Sequence, residues 1–316
     1  MMQSQKGLLT LISFINTIQN ECKKGILMRA LVSCPFADIF DIPDNNQPRS
    51  DELLYGTLVE ILAVLPGSWY KIRTFYRYEG FIQGKNLLAL SDWQKICRKR
   101  LNPPESKIKI IKKRCCDILK NPDVKSSLLC SLVKGSYICL YPEQYSENQR
   151  PTSLENGYCR VILYDGRIGY CKNSCLTSCP NYSKNLPAEE NIFREKVTRT
   201  ALFYLDTQYR WGGKSPLGID CSGLTFMSYL LNGVLIYRDA RMEPEFPVHP
   251  IAPDQKRPGD LLYFPGHIAM YLGNDQYIHS TAHPGSDGVV INSLNPLSSN
   301  YREDLHHCLT GVGSIF

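Results

Sequence analysis

The sequence predicts an α+β protein: two small β-barrels in series, then a domain of helices followed by an antiparallel sheet. Three observations carry that expectation. At 316 residues the chain exceeds one typical domain. From about residue 25 to 180 it runs as short apolar–polar alternations broken by turn residues. Beyond the polar, proline-containing stretch "CPNYSKNLPAEEN" (179–191) the pattern switches to helical periodicity and then returns to strands. A composition of 43% hydrophobic and 21% charged residues is that of a soluble globular protein. The net charge of +6 favours anionic surfaces but is too mild to signal nucleic-acid binding, and no nucleic-acid partner is expected.

Residues 1–24 form an N-terminal segment. "GLLTLISFI" (7–15) has the apolar character of a signal-peptide core, yet only Lys6 precedes it and no small-x-small site follows before Glu21. No apolar stretch approaches the ~20 residues that span a bilayer. A cytoplasmic protein is expected, with an exported or periplasmic one as the alternative.

The first barrel is expected over 25–105 and the second over 106–180. "GTLVEILAVLPGSWYKIRTFYRYEGFI" (56–82) alternates, breaks at Pro66-Gly67 and resumes. "SLVKGSYICLY" and "YCRVILYDGRIGYC" repeat the plan, with Asp165-Gly166 as a hairpin turn. Between them lies the basic stretch "KICRKRLNPPESKIKIIKKR" (95–114), which reads either as a solvated linker with strand ends or as a patch for an anionic polymer.

The last domain is expected over 181–316. "AEENIFREKVTRTALFYLDTQY" predicts an amphipathic helix with Ile192, Val197, Ala201, Leu202 and Leu205 on one side. A second helix starts near Cys221 and stops at Asn232-Gly233. "DLLYFPGHIAMYLGNDQYIHS" then gives strands separated by Pro265-Gly266 and by Gly273-Asn274-Asp275.

Thirteen cysteines at scattered spacings match neither a small disulfide framework nor a paired zinc module, and a reducing compartment is the simpler account. Cys171, Cys175 and Cys179 recur every four residues but lack the tight pairs and fourth ligand of a zinc site, so no metal and no cofactor is expected. Cys221 differs from the rest because it opens a predicted helix, where backbone N–H groups and the helix dipole favour the thiolate. Such a nucleophile needs a base. His267 and His279 lie at odd-numbered positions on consecutive strands, and an odd loop such as Gly273-Asn274-Asp275 places both imidazoles on one face. One then serves as base and the other orients it; the alternative is a pair of structural histidines.

"YRWGG", "GIDCSGL", "RPGDLLYF", "GHIAMYLG" and "YIHS" occur here in the order found in the NlpC/P60 family of papain-like cysteine peptidases, and residues 188 to 316 resemble that family. The two barrels resemble bacterial SH3 domains, as in the γ-D-glutamyl-L-diamino-acid endopeptidases. The resemblance implies that Cys221 is the nucleophile, His267 the general base and acid, and His279 the orienting third member. It implies that Trp211, Asp220 and Ser222 line a pocket for the L-Ala and D-Glu part of a cell-wall peptide, with Tyr209 beside the nucleophile and Tyr78 of the first barrel closing one end of the cleft. Core aromatics, a helix cap and a first-turn serine are the plain alternatives for these residues. The stretch "RDARMEPEF" (238–246) departs from the family in carrying Met242 and Glu243 where glutamines are frequent, and Phe81 stands where tryptophan is common in the barrel.

The implied activity is hydrolysis of the γ-D-glutamyl to diamino-acid bond in peptidoglycan-derived peptides, by a monomer. A non-catalytic module binding wall peptides or proteins through the barrels is the rival. Asp220 bears on specificity: a carboxylate beside a thiol raises the thiol pKa, so its presence suggests that it answers a cation, such as the free amine of an N-terminal L-Ala.

Overall fold

The computed structural model describes residues 28–100, 108–141, 157–182 and 186–316; the N-terminal segment and the centre of the basic stretch lie outside the described residues. Two compact units divide the chain, one ending at Cys179 and the other running from Pro180 to Phe316.

The N-terminal unit contains two seven-stranded antiparallel sheets. The first is built from Met28–Val32 (β1), Phe36–Phe40 (β2), Arg49–Leu54 (β3), Leu58–Leu65 (β4), Trp69–Thr74 (β5), Glu79–Gln83 (β6) and Leu87–Ala89 (β7), in the order β3-β2-β6-β5-β4-β1-β7. The second is built from Ile108–Ile111 (β8), Cys115–Leu119 (β9), Leu128–Val133 (β10), Tyr137–Leu140 (β11), Tyr158–Ile162 (β12), Ile168–Lys172 (β13) and Leu176–Ser178 (β14), in the order β10-β9-β13-β12-β11-β8-β14. The second sheet repeats the first strand for strand. The same backbone clasp recurs in both: Gly56 N–H donates to the Val32 carbonyl (2.8 Å) and Val32 N–H to Thr57 (3.0 Å), while Gly135 donates to Ile111 (2.9 Å) and Ile111 to Ser136 (2.9 Å).

Part of the basic stretch is helical rather than linker, because Leu90–Arg100 (α1) buries Trp93 and Cys97 against the second sheet. Trp93 meets the Tyr164 ring edge-on with centroids 4.8 Å apart, and Tyr55 of the first sheet lies 4.8 Å from the same ring. Tyr164 N–H donates to the Tyr55 hydroxyl at 2.7 Å, and Tyr137 N–H to the Tyr55 carbonyl at 2.8 Å. This seam needs glycine at position 56. Gly56 has φ +79°, and a Cβ there would sit 2.6 Å from the Tyr137 carbonyl oxygen and 2.8 Å from the Tyr164 hydroxyl.

The C-terminal unit comprises Glu190–Leu202 (α2), a small hairpin of Lys214–Ser215 (β15) and Gly218–Ile219 (β16), Cys221–Leu230 (α3), and a six-stranded sheet with a short helix, Glu303–His307 (α4). The sheet strands are His249–Ile251 (β17), Leu261–Phe264 (β18), His267–Gly273 (β19), Gln276–Thr281 (β20), Gly288–Ser293 (β21) and Gly311–Ser314 (β22), ordered β17-β22-β18-β19-β20-β21. Every residue of α3 is buried, as expected of a helix that is apolar all round and packs on β19 and β20. The buried stripe of α2 differs from the sequence expectation: Phe193, Val197 and Ala201 face inward at a spacing of four, whereas Ile192 and Leu202 are exposed. Phe193 wins the inner face because its ring packs against Tyr229 (5.6 Å) and Phe316 (5.9 Å). Arg194, also buried, pairs with Asp260 at 2.8 Å and pins α2 to the start of β18.

Gly56→Ala is expected to destabilise the N-terminal unit by roughly 2–5 kcal/mol, from backbone strain plus the forced contact. Gly157→Ala is the control, since Gly157 also has positive φ (+77°) but a Cβ there meets nothing within 4 Å. Equal losses for the two variants in urea denaturation would show that the seam does not depend on close approach at Gly56.

Candidate active site

Cys221 is the first residue of α3, and its position is fixed by the residue before it. Asp220 is the N-cap, in extended conformation (φ −92°, ψ 178°), and its Oδ1 accepts from Gly223 N–H at 2.5 Å. Its Oδ2 accepts from Gly212 N–H at 2.8 Å, which draws the "YRWGG" loop onto the helix start. Gly223 packs so closely on the Gly213 carbonyl that a side chain there would collide with backbone. The glycines of "WGG" and "DCSG" are thus two halves of one contact.

The charge of Asp220 is answered inside the chain. Arg238, 1% exposed, donates from Nη1 to Oδ1 and from Nη2 to Oδ2, both at 3.2 Å, and also from Nη1 to Ser222 Oγ at 2.7 Å. Ser222 Oγ in turn donates to Asp220 Oδ1 at 3.3 Å. Five donors fill a carboxylate that offers about four lone-pair sites. Asp220 and Ser222 are thus both engaged by Arg238 inside the chain. Removing one member of such a buried pair costs roughly 3–5 kcal/mol, because the other charge is left stranded.

Cys221 is buried, and its thiol is pushed up to about 12, first by burial and then by the Asp220 charge. The backbone N–H groups of Ile268 and Ser222 and the Arg238 charge act the other way and are outweighed. The helix-start N–H thus acts in the expected direction, but burial and Asp220 together outweigh it and favour the thiol form. Ile268 follows His267, so the N–H reaching the sulfur comes from β19 itself.

His267 Nε2 lies 2.7 Å from His279 Nδ1, and His279 Nε2 lies 2.8 Å from Asn292 Oδ1 on β21. Asn292 Nδ2 donates to the Asn300 carbonyl at 2.8 Å, which fixes the amide with its oxygen toward His279. The proton positions then follow in sequence. An amide oxygen only accepts, so His279 carries its proton on Nε2 and presents Nδ1 as an acceptor. His267 must donate from Nε2, leaving His267 Nδ1 as the basic lone pair. Both imidazoles are held neutral. Burial, then His279 and Arg302, bring His267 down to about 3, and burial brings His279 to about 4.

The two histidines share a face, though not through a three-residue loop. The turn has two residues, Asn274 (φ 51°) and Asp275 (φ 59°), between paired Gly273 and Gln276. That pairing alone would place the imidazoles on opposite faces. A register irregularity between Tyr271 and Gly273 restores the match, so that Met270 opposes Ile278 and odd positions on both strands point the same way. Ser280, next to His279, donates from Oγ to the Ile219 carbonyl at 2.7 Å and ties β20 to the chain entering Cys221.

Tyr209 is half-buried, and its phenol is pushed upward by burial and by the nearby Cys221 and Asp220. Trp211 is 64% exposed, so it is no core aromatic. Tyr78 belongs to the N-terminal unit, where its hydroxyl donates to the Ser50 carbonyl at 3.4 Å. Among the described residues, no group of three or more His, Cys, Asp or Glu side chains is arranged to hold a metal ion, and no helix is long and apolar enough to cross a membrane. Sequence reasoning missed Arg238 and Asn292. The one signal for Asn292 was an amide at an alternate position of the otherwise apolar "GVVIN".

Residues 206–306 match the NlpC/P60 family. Dipeptidyl-peptidase 6 of Lysinibacillus sphaericus is 40% identical over 293 residues, which cover 92% of this chain and 100% of that protein. The γ-D-glutamyl-L-lysine dipeptidyl-peptidase of Bacillus subtilis is 33% identical over 119 residues, 35% of this chain and 38% of that protein. The crystal structure of an NlpC/P60 family protein from Bacillus cereus superposes with a TM-score of 0.68 at 19% identity, covering 90% of this chain and 98% of that one, a likeness of fold.

Two outcomes are expected of the histidine relay. Asn292→Leu should lower kcat on a peptide substrate by roughly 10- to 100-fold with little change in KM, because His279 loses the partner that sets its tautomer; Asn292→Asp, which restores an acceptor, should keep more of the rate. Equal rates for Asn292→Leu and wild type would remove Asn292 from the relay. The second outcome concerns pH. Unfolded imidazoles take up protons near 6.5, whereas the folded ones resist until about 3 and about 4. The unfolded chain therefore binds more protons as pH falls below 6.5, and stability of the C-terminal unit should decline from there toward pH 4. Urea midpoints should fall across this window, and less steeply in His279→Gln. A flat profile would contradict the buried neutral pair.

Proposed function

The chain belongs to the NlpC/P60 family, and we propose that it hydrolyses the γ-D-glutamyl to diamino-acid bond of peptidoglycan-derived peptides through a covalent acyl-enzyme. The observation that carries this reading is the ordered line His267–His279–Asn292, with its basic nitrogen left over on the strand whose Ile268 N–H reaches the Cys221 sulfur. The choice of bond draws on two relatives named as γ-D-glutamyl-L-lysine dipeptidyl-peptidases, from Bacillus subtilis and Bacillus cereus.

The resting pair is neutral thiol and neutral imidazole, so proton transfer accompanies attack. His267 Nδ1 takes the thiol proton as Sγ adds to the γ-carbonyl carbon. The N–H groups of Ser222 and Ile268 and the Arg238 charge stabilise the sulfur as it becomes anionic. The Cys221 N–H at the helix start is the donor we assign to the oxyanion. Collapse expels the diamino-acid amine, which leaves with the proton held by imidazolium. Water, activated by the same nitrogen, then releases the acyl group and regenerates the thiol. His279 and Asn292 keep His267 in the tautomer that each step requires. Exposed Trp211 and half-buried Tyr209 are the side chains we place against the peptide. The two repeated sheets are read as SH3-like domains; their identical strand order supports that reading.

A module that binds without turnover has no use for a relay whose every proton position is specified. Incubating the protein with L-Ala-γ-D-Glu-diaminopimelate should yield the dipeptide L-Ala-D-Glu and free diaminopimelate. Cys221→Ala should abolish this while leaving fold and peptide binding in place, because most of the acceleration depends on the covalent nucleophile. Substantial hydrolysis by Cys221→Ala, or none by the wild type, would defeat the assignment.

A further inference from the structure

Outside the catalytic unit, the second sheet gathers four cysteines around one point. Cys159 on β12 and Cys171 on β13 are directly opposed in register, and their sulfurs lie 3.6 Å apart. Cys116 on β9 is within hydrogen-bonding reach of Cys171 and of Cys175. Cys179, which the four-residue spacing grouped with Cys171 and Cys175, stands apart and donates to the Ile108 carbonyl. The residues that meet are thus drawn from three strands and a turn.

We propose that Cys159 and Cys171 form a reversible disulfide, joining neighbouring strands of one hairpin, when the protein meets an oxidising low-molecular-weight disulfide. Two thiols at 3.6 Å on opposed residues need only small side-chain rotations to reach bonding distance. Their exposure sets the order of events. Cys159 is half-buried whereas Cys171 is 0% exposed, so the incoming disulfide meets Cys159 first. The Cys159 thiolate attacks one sulfur of the reagent, forming a mixed disulfide and releasing one thiolate. The Cys171 thiolate then attacks the Cys159 sulfur, forming the protein disulfide and releasing the second. The two protons given up by the cysteines end on the two reagent thiols, so one disulfide is reduced as one is formed. Hydrogen bonding with Cys116 and Cys159, and then burial, raise the Cys171 thiol.

The test uses the full chain carrying Cys221→Ala and Cys308→Ser, so that neither cysteine of the catalytic unit takes part. It is incubated with oxidised glutathione, alkylated under denaturing conditions and mapped by mass spectrometry. The expected product is a peptide pair linked through Cys159 and Cys171, forming over minutes to hours, reversed by dithiothreitol and absent in Cys159→Ser. Oxidation should raise the Tm of the N-terminal unit by a few degrees, with no rise in Cys159→Ser. Because Cys159 is half-buried, its serine variant is expected to fold, and circular dichroism checks this. Three results overturn the proposal: both cysteines recovered alkylated after oxidation, Cys171 recovered linked to Cys116 instead, or zinc alone protecting all four thiols. None of these bears on the peptidase assignment, which the Cys221 experiment decides separately.

Discussion

A carboxylate at the foot of a helix with no solvent-facing residue must find all its partners inside the protein. Asp220 finds them in Arg238, two glycine N–H groups and the Ser222 hydroxyl. That knot fixes three things together: where α3 begins, how the Gly212–Gly213 loop lies against it, and which way the Cys221 thiol emerges. It also sets the local charge balance, because the cation that neutralises Asp220 is itself buried and cannot leave without stranding its partner. The nucleophile is set in place as a result, and burial together with the neighbouring carboxylate makes it a reluctant thiolate.

The histidine line brings to that thiol a base of fixed tautomer and orientation. Asn300 orients Asn292, Asn292 orients His279, and His279 orients His267, each through one hydrogen bond with a single allowed direction. Burial keeps both rings neutral, so the base is ready without prior deprotonation. Helix start and strand are kept in step by Ser280, which bonds the backbone just ahead of Cys221. The reactive centre is therefore a meeting of two separately braced parts.

Much of this was legible in the sequence, for identifiable reasons. Strand alternation and turn residues located the sheets because each strand buries one face, and the position of Cys221 at a helix start could be read from the apolar run behind it. The shared face of His267 and His279 was anticipated for the wrong reason, since a one-residue register irregularity is invisible to parity counting. Arg238 and Asn292 act through partners distant in sequence, and no local pattern announces such contacts. Asp220 beside a thiol suggests a cation, and the fold supplies one from within the chain in Arg238. The inner stripe of α2 was misjudged because Phe193 and Ile192 are equally apolar, and the choice between them rests on Tyr229 and Phe316. The repeat was there to be seen in "ADIFDIPD" (37–44) and "CDILKNPD" (116–123), but two short similar strings carry weight only once both occupy the same strand and turn.

The seam between the repeated sheets has a further property. Tyr55 and Gly56 of the first sheet touch Tyr137, which stands just beyond Gly135, the counterpart of Gly56. The Gly56 turn thus meets the strand that leaves the Gly135 turn, and Tyr164 of the β12–β13 turn closes over it. The turn that clasps one sheet is also what buries the other, so neither copy of the duplicated module can be removed without exposing its twin.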